Sequence, residues 1–596
     1  MLAQLELMFG NNFKTKITMK KNSILFLAFL IFFSCSEEKQ GFLHTKGQKI
    51  VNSSGENVLL RGLGLGGWMV QEGYMLKTSG FAGPQHVIKQ KIVELIGEKK
   101  TEKFYDTYLA NGITKKDIDS LAAWGFNSVR LPMHYNLYIN PSKNNEEITW
   151  NEKGFQMADD LLKWCSENKV YLILDLHAAP GGQGNDANIS DYDDSKPSLW
   201  ESDFNKKKMI SLWRKLAERY KNEPWIGGYD IINEPNWNFT GENKNGCDET
   251  SNAPLRELMV EVTKAIREVD KNHIIMVEGN CWGNNYKGIF PLWDDNTVIS
   301  FHKYWNHNTQ ESIQQMLDYS KEQNAPIWLG ESGENSNVWF KDAISLVESN
   351  NIGWAFWPMK KVENIAGVTS VKMNDGFDKL LKYWNDGGEK PSEEFAEKAL
   401  MQLAENYKIE NVTTKPDVID AMFRQVQTNE TKPYVIHNIP GIIFATEYDL
   451  GSQGYAYSDK DFVNYRVDTG KFETWNSGNT MRNDGVDIKA CKDKITNNYE
   501  VFDINDNEWL LFTVNSDFEG DYSVVIRYLA NDKQGNLHLE VNAVKSKNIN
   551  LPITNNTYNS VKIEEIKLKK GTNKIKVVFN KGDFIFNYFE VVKNKE

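Results

Sequence analysis

The chain has 596 residues, 25% of them charged and 40% hydrophobic, and a formal net charge of -12. That length is too great for one core and calls for two or more domains. The composition is that of a soluble globular protein, and the acidic balance without a basic stripe argues against a nucleic-acid partner. The 12% aromatic share fits either a large aromatic core or stacking surfaces for a ligand with flat, weakly apolar faces, such as a sugar.

The first element is a leader. Met19, Lys20 and Lys21 form a short basic start, and the apolar run Ile24 to Phe33 ends at Ser34 and Cys35. The run is too short to span a bilayer but has the length of a signal-peptide core. It resembles a bacterial lipoprotein signal over residues 1–35, with translation starting at Met19 and lipid on Cys35. The acidic "SEEKQ" that follows resembles a surface-export tag. These resemblances imply an outer-membrane lipoprotein exposed at the cell surface, touching membrane only through the lipid. Cleavage by ordinary signal peptidase, giving a secreted or periplasmic protein, is the alternative. Of the other cysteines, Cys165, Cys247, Cys281 and Cys491, none has zinc-ligand spacing; one disulfide, for instance Cys247 with Cys281, is open to them.

From about 40 to 430 short apolar runs alternate with amphipathic helical stretches. The runs are 58–63, 126–131, 170–176, 227–232, 273–278, 297–302, 326–330 and 352–357. Eight strands, mostly followed by helices such as 207–220 and 253–269, predict an α/β (β/α)8 barrel; a doubly wound sheet is the competitor. The segment 412–435 holds a last helix and a polar linker. From 434 to 596 alternating strands with frequent turns predict an all-β sandwich of jelly-roll type. Such a division predicts a barrel that keeps activity on short substrates when 434–596 is removed.

Early in the barrel, Gly62, Gly64 and Gly67 have GxGxxG spacing, yet no clear helix start follows and no acidic residue stands about 20 positions on. Their expected role is tight packing of the first loop beneath a ligand cleft. Carboxyl ends of barrel strands project into the active-site face. There the sequence places Arg130, His177, Asn233 with Glu234, His302 with Tyr304, Glu331, and Trp357. Two glutamates at one mouth suit retaining glycoside hydrolysis, in which one carboxylic acid protonates the leaving oxygen and the other attacks the anomeric carbon. Arg130 and Tyr304 would favour an ionised nucleophile. Asn233 would bond the sugar 2-hydroxyl, Trp357 would floor the pocket, and His177 and His302 would bond hydroxyls and orient the glutamates. The two histidines lack HxH or HExxH spacing, so no catalytic metal and no other required cofactor is expected.

"NEP" after the fourth strand and "GES" after the seventh, with Arg130, His177, His302, Tyr304 and Trp357, resemble glycoside hydrolase family 5. The resemblance implies Glu234 as general acid/base and Glu331 as nucleophile of an O-glycosyl hydrolase. "LRGLGLGGWMVQEGY" and "LDLHAAPGGQ" are similar to the exo-1,3-β-glucanase branch, which tilts the substrate toward a β-glucan, β-1,3-, β-1,4- or β-1,6-linked. Another β-glycan such as mannan, or a non-catalytic surface glycan binder, are the rivals. The tail from about 436 to 593 resembles a carbohydrate-binding module of family 6. It departs from that pattern at Met481 before Arg482, at Ile585, and at Phe444 and Thr446, where glutamates for a structural calcium are usual. Tyr558 could still form one wall of a sugar site; a purely structural module, or one using another face, is the alternative.

Overall fold

The computed structural model describes residues 41–141 and 147–594. The leader and Cys35 therefore lie outside the described residues, and among the described residues no helix is long and apolar enough to cross a membrane.

Eight parallel strands close into a barrel: β1 (Arg61–Gly64), β2 (Ser128–His134), β3 (Tyr171–Ala178), β4 (Ile226–Asp230), β5 (Ile275–Val277), β6 (Thr297–Lys303), β7 (Ile327–Gly333) and β8 (Gly353–Trp357), with β8 pairing back to β1. Each overlaps one of the eight apolar runs. Every one of their residues is buried except Arg61, which is half-buried, as befits strands whose outer face is covered by helices and whose inner face packs within the barrel. Amphipathic helices Asp203–Tyr220 and Ala253–Val269 are two of the cover, turning Trp213 and Met259 inward. The floor of the barrel is apolar, with Ile173, Met276, Val298 and Trp328 in one cluster. A hairpin of His44–Lys46 and Lys49–Val51 sits beside it, adding Leu43 and Ile50 to that cluster.

Strand register decides what reaches the upper face. Asp175 on β3 pairs with Asp230 on β4, so two carboxylates share one layer of the barrel interior. Between β6 and β7 the register slips after Phe301, and the slip sets His302 directly against Glu331. The first loop is shaped for its neighbour on β8: a β-carbon on Gly64 or Gly66 would come within 2.6 Å of the Trp357 ring. Gly67, with φ of 77°, completes that turn. The expected packing role of these glycines is what the chain shows.

The C-terminal part is a sandwich of two mainly antiparallel sheets. One contains β9 (Trp509–Ser516), β11 (Gly535–Val541) and β13 (Gly571–Lys581); the other contains β10 (Gly520–Leu529), β12 (Asn559–Leu568) and β14 (Ile585–Lys593). Phe512, Phe579, Phe586 and Phe589 fill the space between them. β12 escapes sequence reading because its alternation breaks at Glu564 and Glu565, where the backbone turns left-handed (φ 63°) opposite a register shift in β10.

The sandwich is bound into the barrel by a buried seam. Trp475 packs into the barrel's own apolar cluster, with Val463 and Tyr465 against it. Asn335 donates to the Asn464 carbonyl at 2.9 Å, and Asn483 returns a bond to the Asn335 carbonyl at 2.9 Å. Asn337 donates to Asp484 at 2.9 Å and to Asp417 at 3.0 Å, while the Asn483 backbone N–H donates to the same Asp417 at 2.8 Å. Amides that satisfy each other in this way tolerate burial, and they fix one geometry of approach.

Candidate active site

The mouth of the barrel opens into a cleft of about 590 Å³ whose lining includes His177, Glu234, His302, Tyr304, Glu331 and Trp357. Six of the eight sequence-selected residues thus face one volume. Arg130 and Asn233 do not: both are wholly buried behind its wall. Arg130 bonds Glu331, the contact expected to favour an ionised nucleophile, and Asn233, expected at the sugar 2-hydroxyl, has its side-chain oxygen on Arg130. The guanidinium is consumed by Asp230, Glu331 and Asn233, at 3.0, 2.9 and 2.8 Å. Asp175 and Glu278 also lie within 3.3 Å of it.

Glu234 stands just past the end of β4 with φ of 43°, a left-handed conformation that a non-glycine residue adopts only when its surroundings impose it. Here Glu278, at the end of β5, accepts its backbone N–H at 2.8 Å, and Asn236 donates to its carbonyl at 2.8 Å. The strained turn aims the side chain into the cleft, where its carboxyl meets His302 Nδ1 at 2.7 Å. Burial raises the Glu234 pKa, helped by the charges of Glu331 and Glu278, against the pull of His302. Burial favours a neutral His302 ring, but Glu278, Glu331 and the bond to Glu234 outweigh it and hold its pKa well above the usual histidine value.

Glu331 accepts from Arg130 Nη1 at 2.9 Å and from the Tyr304 hydroxyl at 2.9 Å, the partners an anion takes. Glu234, His302 and Glu331 each place one donor or acceptor atom within 4.8 Å of the others. That spacing of carboxyls belongs with the roughly 5–5.5 Å of retaining enzymes and not with the roughly 6.5–9.5 Å of inverting ones. It is also a spacing that a cation could use. Arg130 and His302 supply positive charge beside these two carboxyls.

Trp357 stacks one face on His177, with ring centroids 4.9 Å apart and planes 9° from parallel, and donates from its indole to Tyr74 at 2.8 Å. His177 is oriented by Asp175 at 2.8 Å. Gln183 ties the neighbouring loops by donating to the carbonyls of His177 and Asn233 at 2.7 and 2.8 Å.

Several residues of the site were not singled out from sequence: Glu72, Tyr74, Asp175, Gln183, Asp230 and Glu278. Asp230 and Glu278 had a signal, since one ends β4 and the other stands just beyond β5. Glu72 lies in the first loop, where no strand-end rule reaches, yet it lines the cleft 3.5 Å from His177 Nε2. Burial pushes its pKa up to about 7, against the favourable bond to His177. The folded protein therefore binds a proton on Glu72 between about pH 4.5 and 7, where the unfolded chain has lost it, and this group's contribution to stability falls as pH rises through that window. Glu72→Gln is expected to flatten the decline of melting temperature between pH 5 and 7.5; an unchanged slope would remove Glu72 from this role.

In the sandwich, the Tyr558 hydroxyl is tied to Glu500 at 2.5 Å and the residue is half-buried. Arg482 is wholly buried, its guanidinium 3.5 Å above the Tyr448 ring and 2.7 Å from Asp484. It is a structural group and not a sugar contact. Phe444 packs edge-on to Tyr588, and the Thr446 hydroxyl accepts from Asn497 at 3.1 Å. Cys247 and Cys281 form a disulfide.

Comparison with known proteins agrees with this architecture. Residues 89–362 match the family described as Cellulase (glycosyl hydrolase family 5), and residues 482–591 match Carbohydrate binding module (family 35). The module is thus matched to family 35, where the sequence pointed to family 6. A Beta-xylosidase from Phanerodontia chrysosporium is 26% identical over 381 residues, covering 57% of this chain and 75% of that protein. Endoglucanase C from Acetivibrio thermocellus is 25% identical over 325 residues, covering 44% of this chain and 87% of that protein. A solved β-glucanase from Saccharophagus degradans is 16% identical and covers 62% of this chain and 95% of its own, with a TM-score of 0.38. The barrel is thus similar to glycosyl hydrolase family 5 over residues 89–362 and the sandwich to a carbohydrate-binding module over residues 482–591, and the protein is an O-glycosyl hydrolase.

Proposed function

We propose that the protein hydrolyses a β-glucan with retention of anomeric configuration, with Glu331 as nucleophile and Glu234 as acid/base. The observation that carries this reading is the pair of carboxyls within 4.8 Å in two different settings. Glu331 receives two donors, one a guanidinium; Glu234 is buried against a histidine with its pKa raised. Two carboxyls whose surroundings differ in this way can divide the roles of nucleophile and proton donor.

In the first step Glu331 forms a bond to the anomeric carbon while Glu234 gives its proton to the departing oxygen. In the second, Glu234 takes a proton from water, the water oxygen bonds to the anomeric carbon, and the Glu331 ester is released. His302, on Glu234 at 2.7 Å, is placed to steady that group through both steps.

The test is a product profile on laminarin, mixed-linkage glucan, carboxymethyl cellulose, pustulan and mannan, with the first-formed anomer read by NMR. Release of a β-anomer from one of the glucans is the expected result, and the linkage hydrolysed would name the substrate. Release of an α-anomer would overturn the mechanism; action on mannan alone would overturn the glucan reading. The relatives' names, an endoglucanase and a β-xylosidase, favour a β-linked glycan of this kind.

The sequence before residue 41 supports a cell-envelope location, with lipid on Cys35 as the anchor. Loss of membrane association in Cys35→Ser is the expected result there.

A further inference from the structure

The catalytic cleft does not end with the barrel. Arg466 and Val467, from the C-terminal part of the chain, line it together with Glu234 and Glu331. A second cavity of about 460 Å³ shares Tyr74, Trp305 and Glu334 with the first and continues beneath Phe472, Thr474 and Trp475. The Trp305 and Phe472 rings meet edge to face, with centroids 4.9 Å apart. Phe472 is 61% exposed and Val467 is 59% exposed. Neither is needed to fill a core, yet both belong to a segment that is held firmly. Asn335 anchors Asn464 on one side of it, and Trp475 is sunk in the barrel cluster on the other. His307 of the barrel adds a contact to Asp468 at 2.9 Å and ring packing on Tyr465 at 4.4 Å.

We propose that residues 466–472 form a distal sugar-binding wall, so that the sandwich domain completes the substrate groove of the barrel. The occupant is the continuation of the same β-glycan chain whose bond lies between Glu234 and Glu331; the inference rests on the hydrolase reading above. Three features point to a sugar polymer. The two cavities adjoin, with Tyr74, Trp305 and Glu334 in the walls of both. The exposed aromatic offers the flat apolar face on which a pyranose stacks, and Arg466 offers donors for its hydroxyls. A short substrate would occupy only the cleft between the glutamates, whereas a long one would run on to Trp305 and Phe472.

The expectation is that chain length matters through Phe472. In the full chain, the advantage in kcat/KM of a hexasaccharide over a trisaccharide should shrink about fivefold in Phe472→Ala, the scale of one aromatic stacking contact. Cello- and laminari-oligosaccharides are the probes. In a Glu331→Ala background, the hexasaccharide Kd should rise by about the same factor when Phe472→Ala is added. Normal hydrolysis with an unchanged length preference would overturn the distal wall and leave the hydrolase reading standing. If the wild type hydrolysed no oligosaccharide, the hydrolase reading would fall; the Kd comparison would then judge the wall alone, with an unchanged hexasaccharide Kd overturning it.

Discussion

Glu331→Ala is expected to lower kcat by roughly 10⁴-fold or more while leaving the fold intact, because covalent catalysis has no substitute once its nucleophile is gone. The stability half of the expectation follows from the partners of Arg130. With Glu331 removed, the guanidinium keeps Asp175 and Asp230 at 3.2 and 2.9 Å and Glu278 at 3.3 Å, so no buried cation is orphaned. Six carboxyls, of Glu72, Asp175, Asp230, Glu234, Glu278 and Glu331, crowd around Arg130, His177 and His302. Taking one acid from such a group relieves repulsion, and the melting temperature should hold or rise slightly. Azide should restore turnover with the opposite anomer, since the open space left by the carboxylate admits a small anion on that face of the sugar. Normal turnover by the variant would move the nucleophile elsewhere. Glu278 could not take the part, because it is fully buried with its oxygens committed to the Glu234 N–H, Arg130 and His302. Glu72, which lines the cleft, would be the group to test next.

The barrel and its carboxyl pair were legible in the sequence for a physical reason. Strands buried on both faces leave continuous apolar runs, and the runs stop where the chain turns polar at the active-site face. Thus the eight runs overlap the eight strands, and the residues just past them include Glu234 and Glu331. What was not legible depends on approach between distant parts. Arg130 sits on a strand that could have pointed it at substrate; only the register of β3 and β4 shows Asp175 and Asp230 waiting for it inside the wall. Glu72 belongs to a loop of no periodicity, and its place beside His177 is set by the way that loop crosses the mouth. From sequence, the segment from Asp459 to Asp484 belongs to a separate sandwich. Its turn residues carry no sign of a partner, and the asparagines that fasten it to Asn335 and Asn337 look like those of any loop.

That seam changes what removal of residues 434–596 should do. Two independent domains would leave a working barrel, but here the cut strips Trp475, Val463 and Tyr465 from the barrel's apolar cluster. Re-exposing the surfaces that an indole and two smaller apolar side chains cover costs about 5 kcal/mol. That is comparable with the whole stability margin of a domain. The amides at Asn335 and Asn337 regain water when uncovered, so they add less than the apolar loss. The fragment 41–433 is therefore expected to melt on the order of 10 °C below the full chain, or to collect as insoluble material. Trp475→Ala in the full chain isolates the largest of these contacts and should cost about 3 kcal/mol, measured by denaturant unfolding. A fragment that melts with the full chain and hydrolyses short oligosaccharides at the same rate would show that the seam is only a resting place for the sandwich. A fragment that melts early, together with a weakened Trp475→Ala, would show that the barrel depends on its C-terminal partner for stability as well as for the far wall of its groove.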